Sequence, residues 1–302
     1  MKKFFLAITG IILVLLIAGI VTGRIAPFGM ELPGGDIVQS VGDYIDDKIG
    51  TPNYDINEAM HYDGNFPVLS GDLEKTFPKE EIKELAVEAA GCSVTIMPTE
   101  DDLFCVTAIS VGSIQCYEEN GILYLRTSTA AQSWGADKTA EVRLYVPKGY
   151  LLQNTEIHLG AGSLDCSELT SLGMKLEAGA GKLTGTDLTT NMMEVNVGMG
   201  AMELKQVKAG AISAETGMGS LQVEGYLAGD AYVKCSAGSA RFLLDGRAED
   251  YNYVIKAGAG AVTVGEETVN GATGGKQIPN NAESNVTLEC LLGKIELLFP
   301  NS

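Results

Sequence analysis

Histidine is scarce: His61 and His158 are the only two among 302 residues. No His-Glu-x-x-His and no Gly-x-Ser-x-Gly occurs, which excludes the common zinc-hydrolase and serine-hydrolase layouts. Trp134 is the only tryptophan, too little aromatic surface for a platform-lined sugar cleft. Basic residues are also few, 21 Lys and Arg against 39 Asp and Glu, for a formal charge of −18. Nucleic-acid binders draw most of their affinity from basic patches, so that class is excluded. Charge-driven docking on anionic lipid is excluded for the same reason. Proline is limited to 9 residues while glycine reaches 37. That balance fits neither collagen nor a proline-rich linker protein. The six cysteines include no C-x-x-C, so zinc knuckles and thioredoxin-like redox motifs are absent.

One long apolar run is present. FFLAITGIILVLLIAGIVTG covers Phe4 to Gly23 without a charge, between Lys3 and Arg24. As a helix it spans ~30 Å, the thickness of a hydrocarbon core. A cleaved signal peptide has a shorter apolar region of ~7–15 residues and a small-x-small cleavage site. The run therefore reads as an uncleaved transmembrane signal anchor, residues 4–23. Lys2 and Lys3 keep residues 1–3 in the cytoplasm and send the remainder outside. The expected location is the cell membrane, single-pass, with an extracytoplasmic C-terminal domain. Residues 24–78, with Pro27, Pro33, Pro52 and Pro67, read as a juxtamembrane linker. Within it Ile37, Val41, Tyr44, Ile45 and Ile49 share one helical face opposite Asp36, Asp43, Asp46 and Asp47.

Residues 79–299 carry an internal repeat. A glycine recurs at Gly162, Gly181, Gly200, Gly219 and Gly238, always 19 residues apart, and again at Gly260 and Gly293 after insertions. A second glycine stands two residues earlier at Gly160, Gly179, Gly198, Gly217 and Gly258. Five residues before the reference glycine stand Ile157, Leu176, Val195, Ala214, Val233, Ile255 and Leu288. Two after it stand Leu164, Leu183, Met202, Leu221, Ala240, Val262 and Ile295. The apolar positions alternate, so each copy is two short strands with one inward face. The fold expected is all-β: a β-solenoid, or β-helix, of ~19-residue coils stacked at the ~4.8 Å spacing of paired strands and preceded by the N-terminal transmembrane helix. The reference glycines then serve as structural corner residues, allowed by their tolerance of positive φ.

The outward columns support stacking. One reads His158, Glu177, Asn196, Glu215, Lys234, Lys256, Glu289 in chain order. The other reads Asp165, Thr184, Glu203, Gln222, Arg241, Thr263, Glu296. Within the strict repeat no two carboxylates are neighbours in either column, as charge avoidance between rungs requires.

Upstream, LAVEAAGCSVTI matches the repeat around Gly91 and Cys92, and FCVTAISV, GILYLRTS and AEVRLYVPKG read as further strands. An apolar anchor, this opening unit, a strand ending in VPKG and serial apolar-x-apolar-Gly-x-Gly-x-apolar units together resemble the bacterial putative-adhesin β-strand-repeat family, a domain of unknown function. The likeness covers roughly Leu73 to Phe299. It implies an extracytoplasmic β-solenoid on an anchored protein, of a kind that in some members accompanies cell-envelope-stress systems. It supplies no catalytic residues.

The residues point away from catalysis and from cofactors. A dinucleotide fingerprint needs a third glycine where Asp165, Thr184, Glu203, Gln222 and Thr263 stand. AGAGKLTG around Lys182 lacks the Ser or Thr that would bind magnesium in a phosphate loop. Glu177 and Glu215, two coils and ~9–10 Å apart, have the separation of an inverting glycosidase pair, but a solvated acidic face explains them more simply. Cys166, Cys235 and Cys290 stand at inward positions as small core fillers. Cys235 and Cys290 share a column two coils apart, which is too far for a disulfide. Cys105 with Cys116 is the pair to test. No catalytic, metal or cofactor residue is assigned. The expected function is a non-enzymatic, adhesin-like binding or envelope scaffold whose partners are the membrane and a cell-surface glycan or envelope protein. The alternatives are an envelope-stress accessory or sensor and, third, a polysaccharide-active enzyme. The insertions Asp245–Asn252 and Val269–Ser284 are the places where specificity is expected, and Asn270–Asn281 is expected to add nothing to the core.

Overall fold

A computed structural model of the protein describes residues 62–128, 140–271 and 275–300. The expected anchor, the helix-like stretch 37–49, His61 and Trp134 lie outside the described residues.

The chain opens with β1 (Leu69–Pro78), followed by the pair β2 (Glu84–Ala90) and β3 (Cys92–Thr99). The long strand β4 (Leu103–Glu119) leads to β5 (Ile122–Ser128) and β6 (Glu141–Pro147). The strict repeat then runs through β7 (Leu151–Leu159), β8 (Gly162–Ser167), β9 (Thr170–Ala178), β10 (Lys182–Thr186) and β11 (Thr189–Val197). β12 (Ala201–Thr216) crosses from one unit into the next, and β13 (Ser220–Leu227), β14 (Ala231–Cys235) and β15 (Ser239–Leu244) continue the series. The chain finishes with β16 (Tyr251–Ala257), β17 (Ala261–Val264), the short β18 (Glu267–Asn270) and β19 (Gly275–Ile278), then β20 (Ser284–Cys290) and β21 (Lys294–Leu298). The domain is all-β, and its mostly parallel sheet wraps in a ring.

Parallel pairing at a 19-residue offset follows the sequence pattern. Ile157, Leu176, Val195, Ala214 and Val233 are successive partners, and each is at most 2% exposed. Leu164, Leu183, Met202, Leu221 and Ala240 form the matching column on the other strand of each unit, equally buried. A weaker apolar position, Leu169, Leu188 and Val207, is buried as well. Burial at ~25 cal/mol per Å² on one face only is what holds the alternation in register, because a one-residue slip would turn every such side chain into water.

The order of stacking differs from the order of the chain at both ends. β2 and β3 lie between β5 and β7 on one side and between β6 and β8 on the other. β20 and β21 insert between β14 and β16, and between β15 and β17. The expectation that Cys235 and Cys290 are two coils apart is therefore wrong: they are direct register partners. The reason lies in the ends. β4 pairs antiparallel with both β5 and β6, and β1 covers β4. β19 pairs antiparallel with β16, and β18 with β17. An antiparallel cover can terminate a parallel stack, so the unit that carries one becomes terminal and the remaining unit goes inside.

Two further expectations are corrected. Residues 69–78, read as linker, form β1, and Gln115 of β4 is fully buried with its amide bonded to the Asp63 and Phe66 carbonyls. The insertion after β17 is an end cover, not an excluded loop: Val269 is 3% exposed and Ile278 packs against the core.

Candidate functional site

The glycine corner is the most repeated local structure, and its physical reason differs from the one expected. Of the seven reference glycines only Gly162 has positive φ, at 101°. The others are glycine because successive coils approach too closely for a side chain. A Cβ on Gly200 would lie 2.2 Å from the Gly181 carbonyl oxygen, and one on Gly219 2.2 Å from that of Gly200. The same holds for Gly238 against Gly219 at 2.1 Å and for Gly293 against Gly238 at 2.2 Å. Gly181 meets Gly162 at 2.7 Å and Gly260 meets Gly293 at 2.5 Å. The corner carries its own inter-coil ladder, with the Met199 N–H donating to Gly179 O and the Met218 N–H to Gly198 O.

Positive φ falls instead at a second corner that the sequence did not mark. Glu168, Asp187 and Gln206 have φ of 52°, 55° and 53°, 19 residues apart, and Gly225 follows at 149°. Their cost is offset by cross-coil bonds, Glu168 N–H to Thr186 O and Asp187 N–H to Lys205 O. Only Asp187 and Gly225 hinted at such a conformation, since Glu and Gln rarely adopt it.

The residue between the two corner glycines points outward. Met199 and Met218, on adjacent coils, are 55% and 54% exposed, and Leu292 occupies the equivalent position further along at 53%. Met199 and Met218 stand beside a shallow trough of about 630 Å³, floored by glycines and flanked by Lys182, Ala201, Ser220 and Ser239; Leu292 lies two rungs beyond Met218, past Ala237. The trough is open and holds no cluster of titratable groups. Among the described residues, no group of His, Cys, Asp and Glu has metal-binding geometry.

The first outward column is largely paired along its own length. In true stacking order the first reads Arg126, Glu88, His158, Glu177, Asn196, Glu215, Lys234, Glu289, Lys256. Glu289 separates two lysines that chain order places side by side. Arg126 Nε lies 3.1 Å from Glu88, and Lys234 Nζ 3.8 Å from Glu215. Glu177 accepts from His158 Nδ1 at 2.7 Å, Lys175 Nζ at 3.0 Å and Asn196 Nδ2 at 3.2 Å. The His158 hydrogen bond, then the charges of His158 and Lys175, hold the Glu177 carboxyl down to about 2 against the opposing effect of burial. His158 is raised in return, chiefly by that hydrogen bond. Glu177 and Glu215 do lie two rungs apart with Asn196 between them. A general acid must hold a proton near neutral pH, and Glu177 is pushed the opposite way.

All six cysteines are free thiols, and Cys105 and Cys116 are not register partners. Cys166, Cys235 and Cys290 are core side chains as read, at most 3% exposed.

Comparison with known proteins matches the family model described as Toastrack DUF4097 to residues 82–272, more than half of the chain. Among curated proteins none is significantly similar. Among solved structures, a "putative adhesin" from Bacteroides fragilis is similar at 12% identity and TM-score 0.43, over 75% of this chain and 97% of that one. A "putative lipid binding protein" from Parabacteroides distasonis is similar at 13% identity and TM-score 0.40, over 76% and 97%. A "putative cell adhesion protein" from Clostridium sporogenes is similar at 13% identity and TM-score 0.34, over 76% and 99%.

Proposed function

The chain belongs to the Toastrack DUF4097 family, and from that premise we propose that it is a membrane-anchored, extracytoplasmic β-solenoid that binds an envelope partner and does not catalyse. The observation that carries this reading is the exposed pair Met199 and Met218 beside the glycine-floored trough. Charged groups in the column through His158 and Glu177 are largely paired within the protein, whereas among the described residues nothing covers these two methionines. An open, shallow, mixed surface suits a broad partner such as an envelope protein or a glycan chain better than a small molecule, which wants an enclosed pocket. Apolar side chains at the centre of such a surface are where binding free energy concentrates. The depressed Glu177 carboxyl is unsuited to the general-acid role in a Glu177–Glu215 pair. Anchoring rests on the uncharged run Phe4–Gly23 behind Lys2 and Lys3.

The test uses the full-length protein in its own membrane. Protease added to intact, wall-stripped cells should digest residues 25–302, and mature chain beginning near Arg24 in the medium would refute anchoring. Met199→Asp with Met218→Asp should lower retention of envelope material by ~10-fold or more, since each buried methionine contributes ~1.5–3 kcal/mol. Unchanged retention would remove the two methionines from the interface. Release of sugars from wall glycan, abolished by Glu177→Gln with Glu215→Gln, would replace the proposal with a polysaccharide-active enzyme.

A further inference from the structure

We propose that Cys235 and Cys290 are a disulfide-forming pair that staples the last unit of the chain to the unit it stacks upon. The oxidising surroundings for this bond rest on the extracytoplasmic reading above; the geometry does not. Cys235 ends β14 and Cys290 ends β20, and the two are direct partners in parallel register. Such partners lie about 4.8 Å apart at Cα, inside the range a disulfide spans. Both side chains face the interior, at 0% and 2% exposure. Each thiol perturbs the ionisation of the other, as neighbouring sulfurs do. Space for their sulfurs is left by the corner glycines: a Cβ on Gly293 would meet Cys235 Sγ at 2.8 Å, and one on Gly260 would meet Cys290 Sγ at 2.6 Å. Cys235 Sγ thus already leans toward the unit that carries Cys290. Among the described residues no other two cysteines are register partners: Cys92 faces Gly162, Cys166 faces Ile96 and Gly185, Cys105 faces Tyr145 and Thr76, and Cys116 faces Leu125.

The position gives the bond a use. β20 and β21 follow β15 to β19 in the chain yet lie between β14 and β16 and between β15 and β17. The link closes a loop over residues 236–289, which limits how far the inserted unit can leave once it has entered. The chemistry is ordinary thiol–disulfide exchange with a disulfide of low molecular weight or of an oxidoreductase. Cys290 gives up its proton more readily, because Cys235 donates its S–H to the resulting thiolate. The Cys290 thiolate attacks one sulfur of the oxidant, and the other sulfur leaves as a thiolate. Cys235, deprotonated in turn, attacks Cys290 Sγ and expels the second thiolate. Two protein thiols lose two protons and two electrons, and the oxidant disulfide becomes two thiols.

Reduced full-length protein, warmed in oxidised glutathione to permit local opening, is quenched in acid, unfolded and alkylated. The expected result is alkylation of only four of the six cysteines, with one linked peptide joining Cys235 to Cys290. The melting temperature should rise by about 5 °C or more. Cys290→Ser should leave Cys235 fully alkylated and abolish the linked peptide. Alkylation of all six wild-type thiols, or a link to any other cysteine, overturns the proposal whatever the compartment. Acid trapping of cells separates the two readings: a pair that closes in the purified protein but is reduced in cells upholds the pair and refutes the extracytoplasmic location.

Discussion

At Gly200 the added Cβ of an alanine would strike the Gly181 carbonyl oxygen at 2.2 Å, and that oxygen is fixed in the ladder by the Ala201 N–H. Backbone cannot turn away as a flexible side chain can. Gly200→Ala should therefore destabilise by ~2–3 kcal/mol, the upper part of the overpacking range. Gly64→Ala, where nothing lies within 4 Å, should stay within ~0.5 kcal/mol. Denaturant unfolding of the two variants checks this, and equal shifts would mean that the coils can spread. Buried hydroxyls give a second contrast. Thr216 Oγ1 is buried without a hydrogen-bond partner, while Thr190 Oγ1 donates to the carbonyls of Met192 or Leu172 at 2.9 and 3.1 Å. Thr216→Val should be neutral or stabilising and Thr190→Val should cost ~1 kcal/mol, because only the second loses a made bond. Melting shifts of the same sign would contradict the hydrogen-bond assignment.

On the outward strands the element that matters is the run of β7, β9 and β11, which brings His158, Glu177 and Asn196 onto successive rungs. Glu177 has its pKa depressed in the folded state, from 4.5 to about 2. Its contribution to stability is complete above the unfolded value and is lost as pH falls through the folded one, between about 4.5 and about 2. His158 is shifted upward, so its contribution is complete below ~6.5 and is lost as pH rises through the higher folded value. The pair is thus most stabilising between these windows, from mildly acidic pH to ~6.5. Glu177→Gln should return the His158 midpoint toward ~6.5 and flatten the acid limb of the stability profile. Proton NMR is well suited, as only one other histidine is present. A midpoint unchanged by the substitution would show that Glu177 does not hold the imidazolium.

For the whole molecule the decisive feature is how the stack ends. A parallel stack presents an unpaired edge at each end, and such an edge templates aggregation. Here β1 and β4 cover one end, and β18 and β19 cover the other, with Lys276 and Glu267 ion-paired across them. Replacing residues 266–279 with a short flexible linker should expose the free edges of β16 and β17. The expected outcome is concentration-dependent association, seen by light scattering, together with a lower melting temperature from loss of buried Val269. A monodisperse monomer with unchanged melting would assign the segment no capping role.

The sequence by itself determined the strand pattern, the inward columns and the 19-residue register, because alternation of apolar and polar residues has one solution when a single face is buried. It also placed glycine at the corner, though for a steric reason that no φ argument supplies: the atom that forbids a side chain at Gly200 belongs to Gly181, a coil away. The second corner at Glu168, Asp187 and Gln206 left little trace, since its strained backbone is held by hydrogen bonds from the next coil and not by a permissive residue type. Only the tertiary structure decided the order of the coils. Each unit carries the same kind of apolar columns, so local pattern does not rank the neighbours. The antiparallel covers do, by making the units with β5 and β16 terminal. That single fact interleaves Glu289 between Lys234 and Lys256, and sets Cys290 directly against Cys235.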